Sequence, residues 1–216
     1  MPFFPKFRRS NAGMKRMYNR INRLYRFITG GLGAKLTTVV EHIAAEYPDF
    51  SEASVLEYAC GTGLLSSVLA QRCRTLTAKD QSVGMLEVAR EQVSVTGAVI
   101  TFAEGDILNI TEEDRSYDYA FVSFALHLFP VEQEIEILRN LCRVVRKGVI
   151  IIDHERKWRL LEAVIEWFEG GYYDQFIKTD FEILWSQTGA TSFKEEEIAE
   201  CRVMRFIIDT ADHEQK

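Results

Sequence analysis

The sequence lacks an apolar run long enough to cross a lipid bilayer. A membrane-spanning helix needs roughly 18–20 apolar residues, and the longest such run, 120–129, is interrupted by Ser123 and His127. Residues 1–6 also contain no apolar segment of the kind found in secretory signals. We therefore expect neither a transmembrane span nor a secretory leader.

Cysteine and proline are both scarce. The 216 residues include only four cysteines, and no two of them have Cys-x-x-Cys spacing: Cys60, Cys73, Cys142 and Cys201. This pattern predicts reduced thiols in a cytoplasmic chain rather than a disulfide framework or a zinc site. No proline occurs between Pro48 and Pro130, so none interrupts regular secondary structure there.

Acidic residues are absent from the first 35 positions. That segment holds nine Lys or Arg, whereas the other 181 residues hold 17 basic and 32 acidic side chains. The net charge of −6 therefore combines a +9 segment with a −15 body. We predict a basic helical lid over residues 1–48 and a second domain over 49–216. The basic charge suits a solvated lid, an anionic acceptor or peripheral contact of residues 1–35 with an anionic membrane. The acidic body disfavours nucleic acid.

Strand-like and helix-like segments alternate after residue 50. Apolar strands are predicted at 54–59, 74–79, 98–103, 117–124 and 149–153. Helices are predicted at 14–28, from about 33 to 47, from 64, at 82–95, 131–145, 155–168 and 173–187, and a hairpin at 191–198 and 202–209. This alternation indicates βαβ units with a parallel sheet covered on both faces. The predicted fold is α/β, a doubly wound, seven-stranded, mostly parallel sheet with a C-terminal antiparallel hairpin.

The first strand leads into a glycine loop, Cys60-Gly-Thr-Gly63. Glycines here let a ligand approach the backbone, although a Gly-x-Gly alone is also typical of a simple turn. The dinucleotide fingerprint has a third glycine where this chain has Ser66, and Glu57 would repel a pyrophosphate but attract an ammonium group. Asp80 ends the second strand, where a carboxylate accepts hydrogen bonds from ribose hydroxyls. A ligand with a ribose and an ammonium group but no phosphate is S-adenosylmethionine.

Five segments resemble the motifs of class I S-adenosylmethionine-dependent methyltransferases, in the family's order. They are Val-Leu-Glu-Tyr-Ala-Cys-Gly-Thr-Gly-Leu-Leu-Ser at 55–66 (motif I), the acidic-strand motif at 80–90, Glu-Gly-Asp-Ile at 104–107, the fourth-strand motif at 117–127 and the turn motif at 138–148. Residues 17–25 are similar to the opening of the ubiquinone/menaquinone-biosynthesis type, with asparagine and arginine replacing its aspartates. Ala59 stands where many members have glycine. The resemblance implies a Rossmann-like methyltransferase domain over 49–216.

The resemblance also implies a cofactor site. Glu57 would hold the methionyl ammonium, Ala59, Gly61 and Gly63 would pass beneath the methionine and ribose, Asp80 would accept from the ribose, and Gln81 and Met85 would pack on the adenine. Asp106 and the backbone amide of Ile107 would bind the adenine edge, Ser123 and Phe124 would face the methionine, and Tyr18 and Tyr25 would cover the cofactor. For Met85 and Phe124, ordinary core packing is an equal alternative, and the two tyrosines could also simply pack.

Methyl transfer from a sulfonium is an in-line displacement that depends mainly on proximity and alignment. A base is needed only when the acceptor loses a proton, and His127 is the candidate, unless it is simply bonded to backbone. The consecutive residues Asp153, His154 and Glu155 suggest a metal, but neighbours in sequence do not easily converge on one ion and magnesium does not favour histidine. No metal site is therefore predicted.

The function predicted is methyl transfer to a small-molecule acceptor, anionic or lipophilic, with S-adenosylhomocysteine as the product. A non-catalytic binder of the same cofactor is an alternative. An NAD-dependent oxidoreductase is a further alternative, disfavoured by Glu57 and by the absent third glycine.

Overall fold

The computed structural model describes residues 13, 15–16, 31–94, 100–157 and 172–208. Its strands are β1 (Ser54–Tyr58), β2 (Thr75–Asp80), β3 (Ile100–Glu104), β4 (Tyr117–Ser123), β5 (Val145–His154), β6 (Ser192–Ile198) and β7 (Cys201–Ile207). The helices within these residues are α1 (Leu32–Glu46), α2 (Leu64–Leu69), α3 (Val83–Ser94), α4 (Val131–Val144), α5 (Tyr173–Phe176) and α6 (Phe181–Leu184). Three 3-10 turns lie at Phe50–Glu52, Leu126–Leu128 and Trp185–Gln187.

The seven strands form one sheet in the order β3-β2-β1-β4-β5-β7-β6. Strands β1 to β5 run parallel, and β7 lies antiparallel between β5 and β6. This confirms the predicted fold, including the C-terminal hairpin. The strand order reverses between β1 and β4, and ligands of open α/β sheets bind in the crevice beyond the strand ends at such a point.

The core lies on both faces of the sheet. On one face, α1 buries Leu36, Val39, Val40 and Ile43 in a cluster that includes Phe121 of β4. On the other face, α4 buries its apolar side chains against β4 and β5. Helix α1 thus packs directly on the sheet, while the domain boundary at residues 48 and 49 stays a prediction.

Three predicted elements are corrected. The expected turn at Lys147-Gly148 is wrong because β5 begins at Val145, directly after α4, and Gly148 pairs with both Tyr119 and Ile207. A single helix over 173–187 is wrong because the chain forms α5, α6 and a 3-10 turn, with Asp180 accepting from the Glu182 amide at 3.2 Å to start α6. Residues 155–157 are not helical, and the rest of the predicted 155–168 helix lies outside the described residues.

Three further expectations concern membrane spans, the cysteines and the N-terminal helix. Among the described residues, no helix combines the length and apolar character that a bilayer span requires. All four cysteines are free thiols, and their reduced state in the cell stays a prediction. The predicted helix at 14–28 falls outside the described residues, apart from Lys15 and Arg16, which are helical.

Candidate functional site: a cleft at the strand ends

An open cleft lies at the carboxyl ends of β1, β2 and β4, at the point where the strand order reverses. Its lining consists of Leu32, Leu36, Ala59, Cys60, Gly61, Thr62, Leu64, Leu65, Asp80, Gln81, Met85, Gly105, Ile107, Ser123, Phe124, Ala125, Leu128 and Phe129. The cleft holds about 910 Å³ of empty space, counting its open mouth. Its position, beyond the carboxyl ends of the strands where their order reverses, is where open α/β sheets bind ligands.

The glycine loop between β1 and α2 has a left-handed backbone at alternate residues. The φ angles are 55° at Ala59, 52° at Gly61 and 78° at Gly63. A Cβ atom on Gly63 would lie 2.9 Å from the Ala89 side chain of α3, so this glycine allows the two helices to pack closely. Ala59 and Gly61 line the cleft, whereas Gly63 is not among its lining residues.

Asp80 is fixed at the end of β2 by two backbone amides. Its Oδ2 accepts a hydrogen bond from the Gly61 amide at 2.8 Å, and its Oδ1 accepts from the Ser82 amide at 2.8 Å. Burial nevertheless raises the pKa of Asp80 above its ordinary value. Gln81 and Met85 follow it along the lining, so these three predicted residues are brought together.

Glu57 lies beneath the glycine loop rather than in the cleft wall. It is fully buried, and its Oε2 accepts a hydrogen bond from Ser66 Oγ at 2.5 Å. Its Oε1 has no hydrogen-bond partner in the described part of the chain. Burial raises the pKa of Glu57 to about 8, and the nearby Asp80 carboxylate adds to the shift. Its predicted contact with an ammonium group stays a prediction.

The ends of β3 and β4 contribute part of the predicted set. Ile107, Ser123 and Phe124 line the cleft, and Phe124 does so with a left-handed backbone at φ 48°. Asp106 lies outside the lining, where its Oδ1 accepts from the Leu108 amide at 3.0 Å. Tyr18 and Tyr25 fall outside the described residues.

His127 is buried behind the cleft wall. Its Nδ1 lies 2.6 Å from Oδ1 of Asp153, a fully buried carboxylate on β5. Its flanking residues Leu126 and Leu128 form the 3-10 turn after β4, and only Leu128 lines the cleft. The pairing with Asp153 joins two residues that sequence reasoning treated separately. The role of His127 as a base stays a prediction.

Sequence reasoning missed the apolar part of the wall. Leu32 and Leu36 enter the lining from α1, and Leu128 and Phe129 enter from the turn after β4. The helical spacing in α1 indicates a buried face, but nothing in that spacing says that the face borders a cleft. Cys60 and Thr62, by contrast, could have been inferred from their places inside the glycine loop.

The cleft has a marked electrostatic character. Among the described residues that line it, Asp80 carries the only formal charge and none is Lys or Arg. Lys15 Nζ lies 2.5 Å from Glu104, an exposed pair at the end of β3 beside the lining residue Gly105. A described lining that includes a carboxylate but no Lys or Arg suits a positively charged ligand better than a pyrophosphate.

The sequence is similar to that of known methyltransferases. Residues 55–148 match the family described as methyltransferase domain. The malonyl-[acyl-carrier protein] O-methyltransferase of Pectobacterium atrosepticum is 34% identical over 111 residues, 51% of this chain and 42% of that protein. The demethylmenaquinone methyltransferase of Clavibacter sepedonicus is 34% identical over 98 residues, 45% and 39% of the two chains. The chain thus spans 39–65% of the length of the curated relatives it matches.

Solved structures share the fold of most of this chain. The Synechocystis magnesium protoporphyrin IX methyltransferase with bound S-adenosylhomocysteine has a TM-score of 0.62 at 16% identity, covering 83% of this chain and 84% of that one. An S-adenosylmethionine-dependent methyltransferase from Aquifex aeolicus has a TM-score of 0.60 at 20% identity, covering 78% and 89%. These likenesses confirm the fold. Residues 55–148, which hold the glycine loop, Asp80 and the end of β4, are the part of the chain that matches the methyltransferase domain.

Proposed function

We propose that this chain transfers the methyl group of S-adenosylmethionine to a small-molecule acceptor. The observation that carries the proposal is the position of Asp80, whose carboxylate stands beside the glycine loop in a cleft that has no Lys or Arg among its described lining residues. A carboxylate there suits ribose hydroxyls and the cationic donor, and the open mouth leaves room for an acceptor. Catalysis of such a displacement requires chiefly that donor and acceptor be aligned and shielded from water.

Calorimetry separates this proposal from its alternatives. We expect S-adenosylmethionine and S-adenosylhomocysteine to bind with a stoichiometry of one per chain, and NAD to give no heat of binding. Binding of NAD alone would overturn the proposal. Binding without formation of S-adenosylhomocysteine across a panel of acceptors would favour a non-catalytic binder.

The walls of the cleft favour a lipophilic acceptor. Leu32, Leu36, Leu128 and Phe129 give the lining apolar surface, and burial of that surface against an apolar molecule is favourable. The panel should therefore pair phenols and quinone precursors with small hydrophilic amines. Faster turnover of the amines would contradict a lipophilic acceptor. It would not contradict the proposal that the chain binds S-adenosylmethionine.

The basic residues of 1–35 support contact with an anionic membrane surface, where a lipophilic acceptor would reside. Each cation near such a surface contributes about 1 kcal/mol. Flotation of the full chain with phosphatidylserine vesicles tests this, with a variant in which Arg8, Arg9, Arg20, Arg23 and Arg26 are replaced by glutamine as the control. Equal flotation of the two proteins would contradict it. A cytoplasmic location, supported by the four free thiols, agrees with this placement.

A further inference from the structure

Three potential metal ligands converge where β4 and β5 end. One ligand atom from each of His127, Asp153 and His154 lies within 4.8 Å of the other two. They meet because Ser123 of β4 pairs with Ile152 of β5, which brings the turn after β4 alongside the end of β5. The consecutive residues 153–155 alone do not suggest a shared ion, but His127 completes the group from a different strand end.

A fourth group beside the cluster is a buried carboxyl without a partner. Glu134 of α4 is fully buried, and neither of its side-chain oxygens has a hydrogen-bond partner among the described residues. Burial, together with the charge of Asp153, raises the pKa of Glu134 to about 8, while His127 acts in the opposite direction. Native proteins leave few buried polar atoms unsatisfied, and an ion or a water commonly accounts for the exceptions.

We propose that His127, Asp153 and His154 bind a first-row divalent transition-metal ion such as Zn²⁺, with the Glu134 carboxylate balancing its charge. Two imidazole nitrogens and a carboxylate oxygen are ligands that such ions favour, whereas Mg²⁺ prefers oxygen alone. Ligand atoms about 2.0–2.2 Å from zinc lie roughly 3–3.5 Å apart, so binding would separate His127 Nδ1 from Asp153 Oδ1, now 2.6 Å apart, and bonds to the ion would replace their hydrogen bond. Binding of the cation would release the proton that the Glu134 carboxyl holds at neutral pH, so that the carboxylates of Asp153 and Glu134 together balance the charge of the ion.

The surroundings of the cluster hold its carboxylate in place. Asp153 Oδ1 accepts from the His154 amide at 2.8 Å, and Oδ2 accepts from the amides of Leu126 at 3.2 Å and His127 at 3.4 Å. Outer hydrogen bonds of this kind orient the carboxylates of metal sites. The aromatic rings of Phe124 and Tyr173 lie 5.2 and 5.3 Å from the His154 ring and supply an apolar shell.

The proposed metal would act on the cleft through the backbone. It would fasten the turn after β4, which carries the lining residues Leu128 and Phe129, to the end of β5. Phe124 separates the two sites, since it lines the cleft and packs against His154. A ligated His127 has no lone pair with which to accept a proton from an acceptor, so it would position the turn instead of serving as a base.

The test uses the full chain without a polyhistidine tag, stripped with a chelator and titrated with Co²⁺, Zn²⁺ or Mg²⁺. We expect one Co²⁺ per chain with visible d–d absorption, displacement of that absorption by Zn²⁺, and no binding of Mg²⁺. Thermal unfolding should shift upward with Zn²⁺ because a ligand that binds only the folded state stabilises it. Absence of both the cobalt absorption and the shift in Tm would overturn the proposal.

Variants locate the site. His154→Asn and Glu134→Gln should each weaken Co²⁺ binding roughly tenfold or more. His42→Asn is the matched control, because His42 forms an exposed group with Glu46 and Glu196 that could also hold a metal. Loss of binding in His42→Asn but not in His154→Asn would place the metal at the surface and refute the proposal. If His154→Asn does not fold, Co²⁺ binding by Glu134→Gln and the absorption spectrum of the wild-type protein still show whether the ion binds at this cluster. Calorimetry with S-adenosylmethionine on the stripped protein tests the proposed function separately.

Discussion

The carboxylate of Asp80 accepts a hydrogen bond from the Gly61 amide at 2.8 Å, which ties the end of β2 to the loop that follows β1. The second carboxylate oxygen accepts from the Ser82 amide, which leads into α3. One side chain thus fixes three segments of the cleft. Any ligand that reaches Asp80 therefore meets a carboxylate whose orientation is already set.

Replacing Asp80 by alanine should weaken binding of S-adenosylmethionine about 10- to 150-fold, because hydrogen bonds to a charged group contribute roughly 1.5–3 kcal/mol. Calorimetry at pH 7.5 measures the change. Asp114→Asn is the control, since Asp114 is an exposed carboxylate paired with Arg143 away from the cleft. Equal affinities of Asp80→Ala and wild type would show that the ribose lies elsewhere.

Gly63 offers a test of the loop that is independent of ligand. A Cβ at this position would lie 2.9 Å from Ala89 and would require a left-handed backbone. We expect Gly63→Ala to lower the free energy of unfolding by about 2–4 kcal/mol, through strain and overpacking. Gly61→Ala, at φ 52° but in open space, should cost only about 1–2 kcal/mol, and Gly31→Ala, with no close neighbour and an ordinary φ, almost nothing. Urea unfolding of the three variants checks this order, and equal effects would contradict it.

The fold was predictable from sequence because parallel strands buried on both faces appear as apolar segments at regular intervals. The strands 54–59, 74–79 and 117–124 matched β1, β2 and β4 within one residue at each end. Local signals failed where sheet pairing decides the structure. Lys147 and Gly148 favour a turn, but Gly148 pairs with Tyr119 of β4 on one side and with Ile207 of β7 on the other, and this pairing keeps the segment in β5.

The residues of the candidate site were likewise only partly predictable from the sequence. Ala59, Gly61 and Asp80 lie in motifs next to strand ends, so their positions in the cleft follow from the sequence order. The pairing of His127 with Asp153 depends on the register of β4 against β5, which no local pattern specifies. Leu32 and Leu36 likewise enter the lining through tertiary packing of α1 alone.

The ionised Asp118 carboxylate should stabilise the fold at neutral pH and lose this effect in acid. Hydrogen bonds from Arg146 and Ser54 overcome burial and lower the pKa of Asp118 from 3.8 to about 2. Because the folded pKa is depressed, the stabilisation is present above pH 4 and disappears as the pH falls toward 2. Asp118→Asn should cost about 2 kcal/mol at pH 7 and little at pH 2. Urea unfolding measures both, with the exposed Asp49→Asn as control; an equal loss at both pH values would contradict this assignment.

The buried Glu57 should make the stability of the fold depend on pH in the opposite direction. Burial raises its pKa to about 8 from 4.5, so between these values the folded chain holds a proton that the unfolded chain has released. The stabilisation from this proton is complete below pH 4.5 and is lost as the pH rises to 8, at up to about 1.4 kcal/mol per pH unit. Glu57→Gln should remove this slope and be more stable than wild type at pH 8, as measured by urea unfolding from pH 5 to 9. Ser66→Ala is the matched variant, since loss of the Ser66 hydroxyl removes the hydrogen bond that lowers the pKa and should make the carboxyl ionise at still higher pH.

The protonation of Glu57 also offers a test of its predicted contact with the methionyl ammonium. If Glu57 pairs with that group, binding favours the ionised carboxylate and releases a proton at pH 7. Calorimetry in phosphate and in Tris, whose ionisation enthalpies differ, should then give different apparent binding enthalpies for wild type and equal ones for Glu57→Gln. Equal enthalpies for wild type in both buffers would mean that Glu57 keeps its proton under the loop, and that its place is structural: the buried partner of Ser66 that supports the glycine turn from below.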